Sequence, residues 1–191
     1  MSNIAKRVLL LASSGKTVFT TAELVIFWKV EDKNVLRVII SRAIKKGYLK
    51  LIRRGVYKLK DKKVNPFELA GKLKKHSYVS FETVLAQAGV IFQWHNKIIS
   101  ASDRSLRTEN KYGKFLYRKI SENALLNNKG IINKGNYFIA SAERALCDKI
   151  YKDGLVYLDS LSEIDKEKAI EISKIYRNKR LEEDIKKLFK I

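Results

Sequence analysis

The sequence predicts a protein of the α+β class, and three features of its 191 residues support that prediction. Residues 32–47 show the 3.6-residue apolar periodicity of an amphipathic helix. Residues 48–59 contain two β-rich runs on either side of a glycine-containing turn, which is the pattern of a hairpin. Beyond the charged run at 60–63, short strand-like segments alternate with helical ones.

The predicted helix at 32–47 has an apolar half and a polar half. Asp32 can cap its first turn and Gly47 can end it. The apolar half is formed by Val35, Leu36, Ile39, Ile40, Ala43 and Ile44. The first turn and the opposite half carry the candidate DNA-binding residues Lys33, Asn34, Arg37, Ser41, Arg42 and Lys45. Such side chains can reach base edges or phosphates in a major groove, whereas the alternative is a solvated surface helix.

The segments on either side of this helix complete a recognisable motif. The run from Thr20 to Glu23 resembles a capping box and predicts a preceding helix. The hairpin turn carries Arg53 and Arg54, which we expect to face a phosphate backbone. Helix, turn, basic helix and basic hairpin in this order predict a winged helix-turn-helix. Because Pro66 begins a new helix after a charged linker, we expect a DNA-binding domain at 1–62 and a second domain at 63–191.

The composition favours a polyanionic partner. Forty Lys and Arg against twenty Asp and Glu give a formal charge of +20, which points to nucleic acid first and to an anionic membrane surface second, although a generally lysine-rich proteome would give the same excess. No apolar run approaches the roughly 20 residues of a membrane span, and no signal peptide is recognisable. The single cysteine, Cys147, fits a reducing compartment, so we expect a cytoplasmic protein with no membrane partner.

The second half predicts a mixed domain with an antiparallel sheet and closing helices. Ser80 and Ser141 are expected to cap helices, and residues 133–136 are expected to form a hairpin turn. The other predicted elements are strands at 78–79, 97–101, 114–120, 131–132 and 137–139, and one or two helices at 166–190.

No pattern in the chain predicts an enzyme, a metal site or a cofactor. The two histidines, His76 and His95, are far apart in sequence, and Cys147 has apolar neighbours. One alternative stays open, in which Asp103 and Glu109-Asn110-Lys111 form the carboxylates and lysine of a metal-dependent nuclease. The alternative is that these residues are solvated charges of a loop and have no catalytic role.

Three segments of the chain resemble a known family. They are Arg54-Gly55-Val56-Tyr57, residues 78–91 with the pattern Ser80-x-Glu82-Thr83-Val84-Leu85-Ala86-Gln87, and residues 139–148 around Glu143-Arg144-Ala145. Over roughly residues 17–155 the chain resembles the AbiEi antitoxins of abortive-infection (type IV) toxin–antitoxin systems.

The resemblance implies a winged-helix transcriptional regulator that binds operator DNA, pairs with a second copy there and represses its own operon. It places the DNA-binding surface on Asn34, Arg37, Ser41, Arg42, Arg53 and Arg54. It also implies that residues 63–191 counter a nucleotidyltransferase-like toxin encoded beside the chain. The matching residues Ser80, Glu82, Thr83, Gln87, Glu143, Arg144 and Asp148 have no derivable role in that task, although Arg144 is expected to pair with a carboxylate. The rival functions are a protein-interaction module whose basicity is incidental and the nuclease described above.

Overall fold

The chain forms two compact units, residues 1–73 and 74–191, in a computed structural model that describes residues 3–93 and 96–190. Its secondary structure is mixed α+β, as the sequence predicts. The division falls after α4 (Pro66–Leu73) rather than near residue 62. The reason is that α4 is bonded to the first unit, where the Glu68 carboxylate accepts hydrogen bonds from the backbone N–H and the hydroxyl of Thr17 at 2.9 and 2.6 Å.

The N-terminal unit combines helices with a three-stranded sheet. Its elements before α4 are α1 (Asn3–Ser13), β1 (Val18–Thr20), α2 (Thr21–Trp28), α3 (Lys33–Lys45), β2 (Leu49–Arg53) and β3 (Val56–Leu59). The strand order is β1-β3-β2, with both pairings antiparallel, so the hairpin predicted at 48–59 is confirmed.

The local signals for α2 and α3 are also confirmed. At the start of α2 the Thr20 hydroxyl accepts from the Glu23 N–H, and the Glu23 carboxylate accepts from the Thr20 N–H, which completes a capping box. Asp32 Oδ1 accepts from two N–H groups in the first turn of α3 at 2.8 Å each. At its end the N–H groups of Gly47 and Tyr48 each donate at 2.9 Å to carbonyls of the last turn, which is a Schellman motif with Gly47 at a φ of 75°.

The buried side of α3 is narrower than its apolar half. Leu36, Ile40 and Ala43 are buried in a core with residues of α1, α2 and the sheet, as predicted. Val35 is instead 51% exposed, because it lies 100° around the helix from Leu36, at the edge of the buried arc. The packing therefore fixes α3 by Leu36, Ile40 and Ala43, with the half-buried Ile39 and Ile44 beside them, and leaves the other side of the helix to solvent.

The C-terminal unit surrounds a six-stranded sheet with helices. Its strands are β4 (Ser77–Val79), β5 (Ile98–Ser102), β6 (Leu106–Asn110), β7 (Gly113–Lys119), β8 (Ile131–Asn133) and β9 (Phe138–Ala140). Its helices are α5 (Glu82–Gln87), α6 (Glu122–Leu126), α7 (Ala142–Asp153), α8 (Lys166–Ser173) and α9 (Lys179–Leu188), with a short 3₁₀ segment at Lys174–Tyr176. No helix among the described residues is long and apolar enough to cross a bilayer.

The prediction that this sheet is antiparallel is wrong, because the strand order β6-β7-β5-β4-β9-β8 includes two parallel pairs, β5 with β7 and β4 with β9. The polar strand β6, which the apolar pattern does not reveal, accounts for the first of them. The chain runs from β5 into β6 and then turns back into β7, which is antiparallel to β6. Because β7 lies between β6 and β5 in the sheet, it pairs with β5 in the same direction. The antiparallel hairpin of β8 and β9 is as predicted.

The carboxylate of Glu23 gives the N-terminal unit a predictable pH dependence. Burial alone would raise the pKa of Glu23, but hydrogen bonds from the Nζ groups of Lys16 and Lys72, at 2.7 and 2.6 Å, outweigh it and lower the pKa from 4.5 to about 2. Because the folded value is the lower one, the stabilisation is complete above the unfolded pKa and is lost as the pH falls towards 2.

We expect Glu23 to account for a loss of about 1–2 kcal/mol in the free energy of unfolding of this unit between about pH 6 and about pH 3, with the value reduced by solvent screening. The measurement is urea unfolding followed by the fluorescence of the buried Trp28, in a Trp94→Phe background that leaves one tryptophan. Glu23→Gln is the matched control and should lack this part of the pH dependence. An equal loss in Glu23→Gln would contradict the assignment.

Candidate nucleic-acid interface

The polar residues predicted on α3 lie together on the exposed side of that helix. Lys33, Asn34, Arg37, Ser41, Arg42 and Lys45 are all exposed. All but Lys33 line, with Val38, a shallow groove of about 460 Å³ along the helix. Among the described residues, none of the six side chains has a hydrogen-bond or ion-pair partner. Their donors are therefore available to a ligand.

Positive charge on this helix is not neutralised by the acids of its own unit. Residues 1–73 contain 17 Lys and Arg against 5 Asp and Glu, a formal charge of +12. Three of the five carboxylates are already engaged: Glu23 with lysines, Asp32 with the first turn of α3, and Glu68 with the backbone before β1. The exposed side of α3 from Lys33 to Lys45 therefore presents cations and no carboxylate, although Glu31 and Asp32 precede the helix.

Arg54 lies at the turn of the β2–β3 hairpin, which is tied to the start of α2. The N–H of Thr21 donates to the Gly55 carbonyl at 2.9 Å, and Gly55 has a φ of 79°, a conformation that favours glycine. The Arg54 side chain is exposed, and no hydrogen bond or ion pair engages it within the described part of the chain. Its position is thus fixed while its charge remains available.

Arg53 differs from its neighbour, although the sequence treats the two alike. Its guanidinium donates to the backbone carbonyl of Leu73, the last residue of α4. That carbonyl has no partner within its own helix, so Arg53 caps the C-terminus of α4. The two arginines therefore have different roles in the unit, and only Arg54 has an uncommitted side chain.

The two carboxylates of the alternative nuclease site are each paired with a nearby cation. Asp103 forms ion pairs with Lys74 and, at 3.6 Å, with Arg104. Glu109 lies on β6 opposite Lys114, 3.6 Å away, rather than in a loop. In the part of the chain that the structure describes, no three His, Cys, Asp or Glu side chains meet in a group that could hold a metal ion. His95 lies outside the described residues.

The segments that carry the family resemblance build the interior of the C-terminal unit. Ser80, Arg144 and Asp148 are each fully buried. The prediction that Ser80 caps α5 is wrong. Its hydroxyl instead donates to Asp148 Oδ2 at 2.6 Å. The Asp148 carboxylate also accepts from the hydroxyls of Tyr78 and Tyr176, at 3.0 and 2.6 Å. Long-range partners for Ser80 thus replaced the local cap that its sequence position favours.

Arg144 lies at the centre of this buried network. Its Nε is 3.8 Å from Asp148 Oδ1, so the expected carboxylate partner is confirmed. The guanidinium donates to the Tyr78 hydroxyl at 2.8 and 3.0 Å and to the Ala124 carbonyl at 2.6 Å. Burial raises the pKa of Asp148, while Arg144 and the hydroxyl donors oppose that effect. The network ties β4, α6, α7 and the 3₁₀ segment together.

A second polar cluster joins α5, β7 and α7. Lys149 Nζ is 2.7 Å from both Glu82 Oε1 and Asp153 Oδ2, and Arg118 also pairs with both acids. Burial alone would raise the pKa of Asp153, but Arg118 and Lys149 lower it to about 2. With two cations and two anions the cluster is neutral, so it stabilises the unit without adding charge to its surface.

Sequence patterns located the basic helix but missed the buried tyrosines Tyr78 and Tyr176. A tyrosine in an apolar run gives no local sign that its hydroxyl meets a carboxylate 70 residues away, as Tyr78 meets Asp148. In comparisons with known proteins, no family model matches the chain and no curated protein matches it significantly. The resemblance to the antitoxins therefore rests on the segments quoted above.

We expect Asp148→Asn to reduce the free energy of unfolding of the C-terminal unit by about 3–5 kcal/mol, because it leaves the Arg144 charge buried without its partner. Thermal unfolding of the full chain, followed by circular dichroism, measures the loss. Lys149→Met is a control in a partly buried cluster whose two acids keep Arg118 as a partner, and it should cost clearly less than Asp148→Asn. The double variant Arg144→Met with Asp148→Leu should be more stable than Asp148→Asn. Equal melting temperatures of Asp148→Asn and the wild type would contradict the stabilising role of the buried network.

Proposed function

We propose that the N-terminal unit is a winged helix that binds double-stranded operator DNA, and that the protein represses its own operon. The observation that carries the proposal is the exposed face of α3, where four cations and two polar side chains have no protein partner among the described residues. The element order, α1-β1-α2-α3 and then the β2–β3 hairpin, supports it, because this is the order of a winged helix-turn-helix.

In this proposal α3 enters the major groove and the hairpin turn lies against the adjacent backbone. Arg37 and Ser41 face the bases, because they lie side by side on the exposed part of α3, about 100° and 140° around the helix from the buried Leu36. Arginine can donate two parallel hydrogen bonds to guanine, and serine can bond to several bases. Arg54, fixed on the hairpin turn, contacts phosphate. By the family resemblance, two copies bind a repeated operator as a homodimer on DNA.

We also propose that the C-terminal unit restrains a nucleotidyltransferase-like toxin encoded beside the chain. This part of the proposal rests on the family resemblance. Ser80, Arg144 and Asp148 are buried, so they support a shared fold of this unit rather than a contact surface. Any surface that touches a partner protein must lie among other residues.

A protein-interaction module is the second candidate function, and exposed aromatic side chains favour it. Phe92 is 75% exposed and Tyr157 is 87% exposed. Their segments are held together, since the Phe92 N–H donates to Asp159 Oδ2 at 2.7 Å and the Asp159 N–H donates to the Val90 carbonyl at 2.9 Å. Exposed aromatic side chains of this kind are common at protein interfaces. The two functions are compatible if the partner is the toxin.

Arg54→Ala should weaken binding to the DNA upstream of the gene and should reduce the slope of log K against log salt by about 0.9, the value for one phosphate contact. Arg53→Ala is the matched control and should leave that slope nearly unchanged, because its guanidinium is bound to the Leu73 carbonyl. Fluorescence anisotropy at several salt concentrations, with random DNA as competitor, measures both effects. Equal slopes for Arg54→Ala and wild type would remove the hairpin from the DNA interface.

The antitoxin role predicts that the full chain protects cells in which the neighbouring toxin is expressed from an independent promoter. The variant carrying both Arg37→Ala and Arg54→Ala should protect equally, since repression of the operon plays no part in this assay. Growth after toxin induction is the measurement, and circular dichroism shows that the variant is folded. Failure of the folded wild-type chain to protect would contradict the antitoxin role and would leave DNA binding to be judged separately.

A further inference from the structure

A cleft of about 770 Å³ lies between α2, α3 and the hairpin turn of the N-terminal unit. Part of its lining is apolar and includes Val25 of α2, the buried Leu36 and Ile40 of α3, and the half-buried Tyr57 of β3. A cleft of this size with apolar walls is typical of small-molecule sites.

Three cations border this cleft, and no acid lines it. Lys33 and Arg37 approach from α3, and Arg54 approaches from the hairpin turn. None of the three has a hydrogen-bond or ion-pair partner within the described residues. Three cations beside one apolar cleft favour a negatively charged ligand over a neutral or positively charged one.

The walls of the cleft are held in place without a ligand. The Thr21 N–H and hydroxyl both donate to the Gly55 carbonyl, at 2.9 and 3.4 Å, which ties the hairpin turn to α2. The pairing of Thr20 with Val56 extends the same connection into the sheet. A site whose walls are already fixed loses little free energy on ordering when a ligand binds.

We propose that this cleft binds a small organic anion with an aromatic or apolar body, such as an aryl carboxylate, and that the bound anion competes with DNA. The carboxylate lies between Arg37 and Arg54, and the ring lies against Val25, Leu36 and Tyr57. DNA backbone alone does not account for the apolar part of the cleft, because sugar and phosphate are polar whereas Val25, Leu36 and Ile40 are not. The competition rests on the proposed DNA-binding function, since Arg37 and Arg54 belong to both sites, whereas binding of the anion does not depend on it.

The test uses 2-naphthoate as the probe and the full chain without DNA. Amide chemical shifts in ¹H–¹⁵N spectra should change saturably in α2, α3 and the hairpin turn. 2-Naphthalenemethanol has the same ring without the charge, and acetate at equal ionic strength has the charge without the ring, so both should bind much more weakly. Arg54→Gln should raise the Kd for naphthoate about tenfold, the effect of losing one charged hydrogen bond.

Two further variants locate the site. Val25→Trp fills the cleft and should abolish the shifts while the rest of the spectrum shows a folded chain. Arg42→Gln removes a cation of α3 that does not line the cleft and should leave the Kd unchanged. Saturating naphthoate should then weaken binding of the wild-type chain to its upstream DNA, measured by anisotropy, and should not weaken it for Val25→Trp.

The outcomes separate the two proposals. Absence of saturable shifts, equal binding of the uncharged alcohol, or shifts outside the cleft would overturn the anion site and leave DNA binding intact. Naphthoate binding in the cleft with unchanged DNA affinity would overturn the competition. Binding of naphthoate by a chain that binds no DNA would support the anion site and overturn the proposed DNA-binding function.

Discussion

The first turn of α2 is the junction on which the N-terminal unit depends. Glu23 closes the capping box with Thr20 and holds two lysines, Lys16 before β1 and Lys72 on α4. Thr21 bonds to the Gly55 carbonyl and so holds the hairpin turn. One helical turn therefore fixes the sheet, α4 and the position of Arg54. The hairpin turn is bonded to this junction, and α3 packs through Leu36 and Ile40 into the core that α1, α2 and the sheet share.

The way in which the unit uses its few carboxylates explains why many of its cations form no ion pair. Three of its five carboxylates are used for capping and for tying loops, and α3 itself contains no acid between Lys33 and Lys45. Repulsion among exposed cations is modest in water and is screened by salt, so the fold tolerates it. A polyanion would relieve that repulsion on binding. The exposed cations of α3, which form no ion pair among the described residues, therefore remain available to bind a polyanion.

Features determined by neighbouring residues were predictable from the sequence. The caps of α2 and α3, the end of α3 at Gly47 and the hairpin turn at Gly55 depend on residues within a few positions of one another, and the structure contains all of them. The six polar residues of α3 were also identified, because a helical period fixes which side chains share a face.

Features determined by distant residues were not predictable. Ser80 has the sequence position of a cap, but its hydroxyl binds Asp148, which is buried with it. Arg53 and Arg54 are identical in type, yet only Arg53 reaches the end of α4. The strand β6 is polar and gives no apolar alternation, so the parallel pairing of β5 with β7 could not be foreseen. In each case the deciding partner lies far away in the chain.

Site-directed cleavage of DNA tests the central claim most directly, namely that α3 enters the major groove of an operator. The only native cysteine, Cys147, is fully buried, and burial raises the pKa of its thiol, so it should not react with a label. An iron chelate attached to Ser41→Cys should cleave the upstream DNA at a few positions within each repeat. The same label on Ser13→Cys, an exposed position of α1, should not give that pattern. Cleavage without preferred positions from the Ser41 label, or none from a folded labelled protein bound to this DNA, would contradict the account.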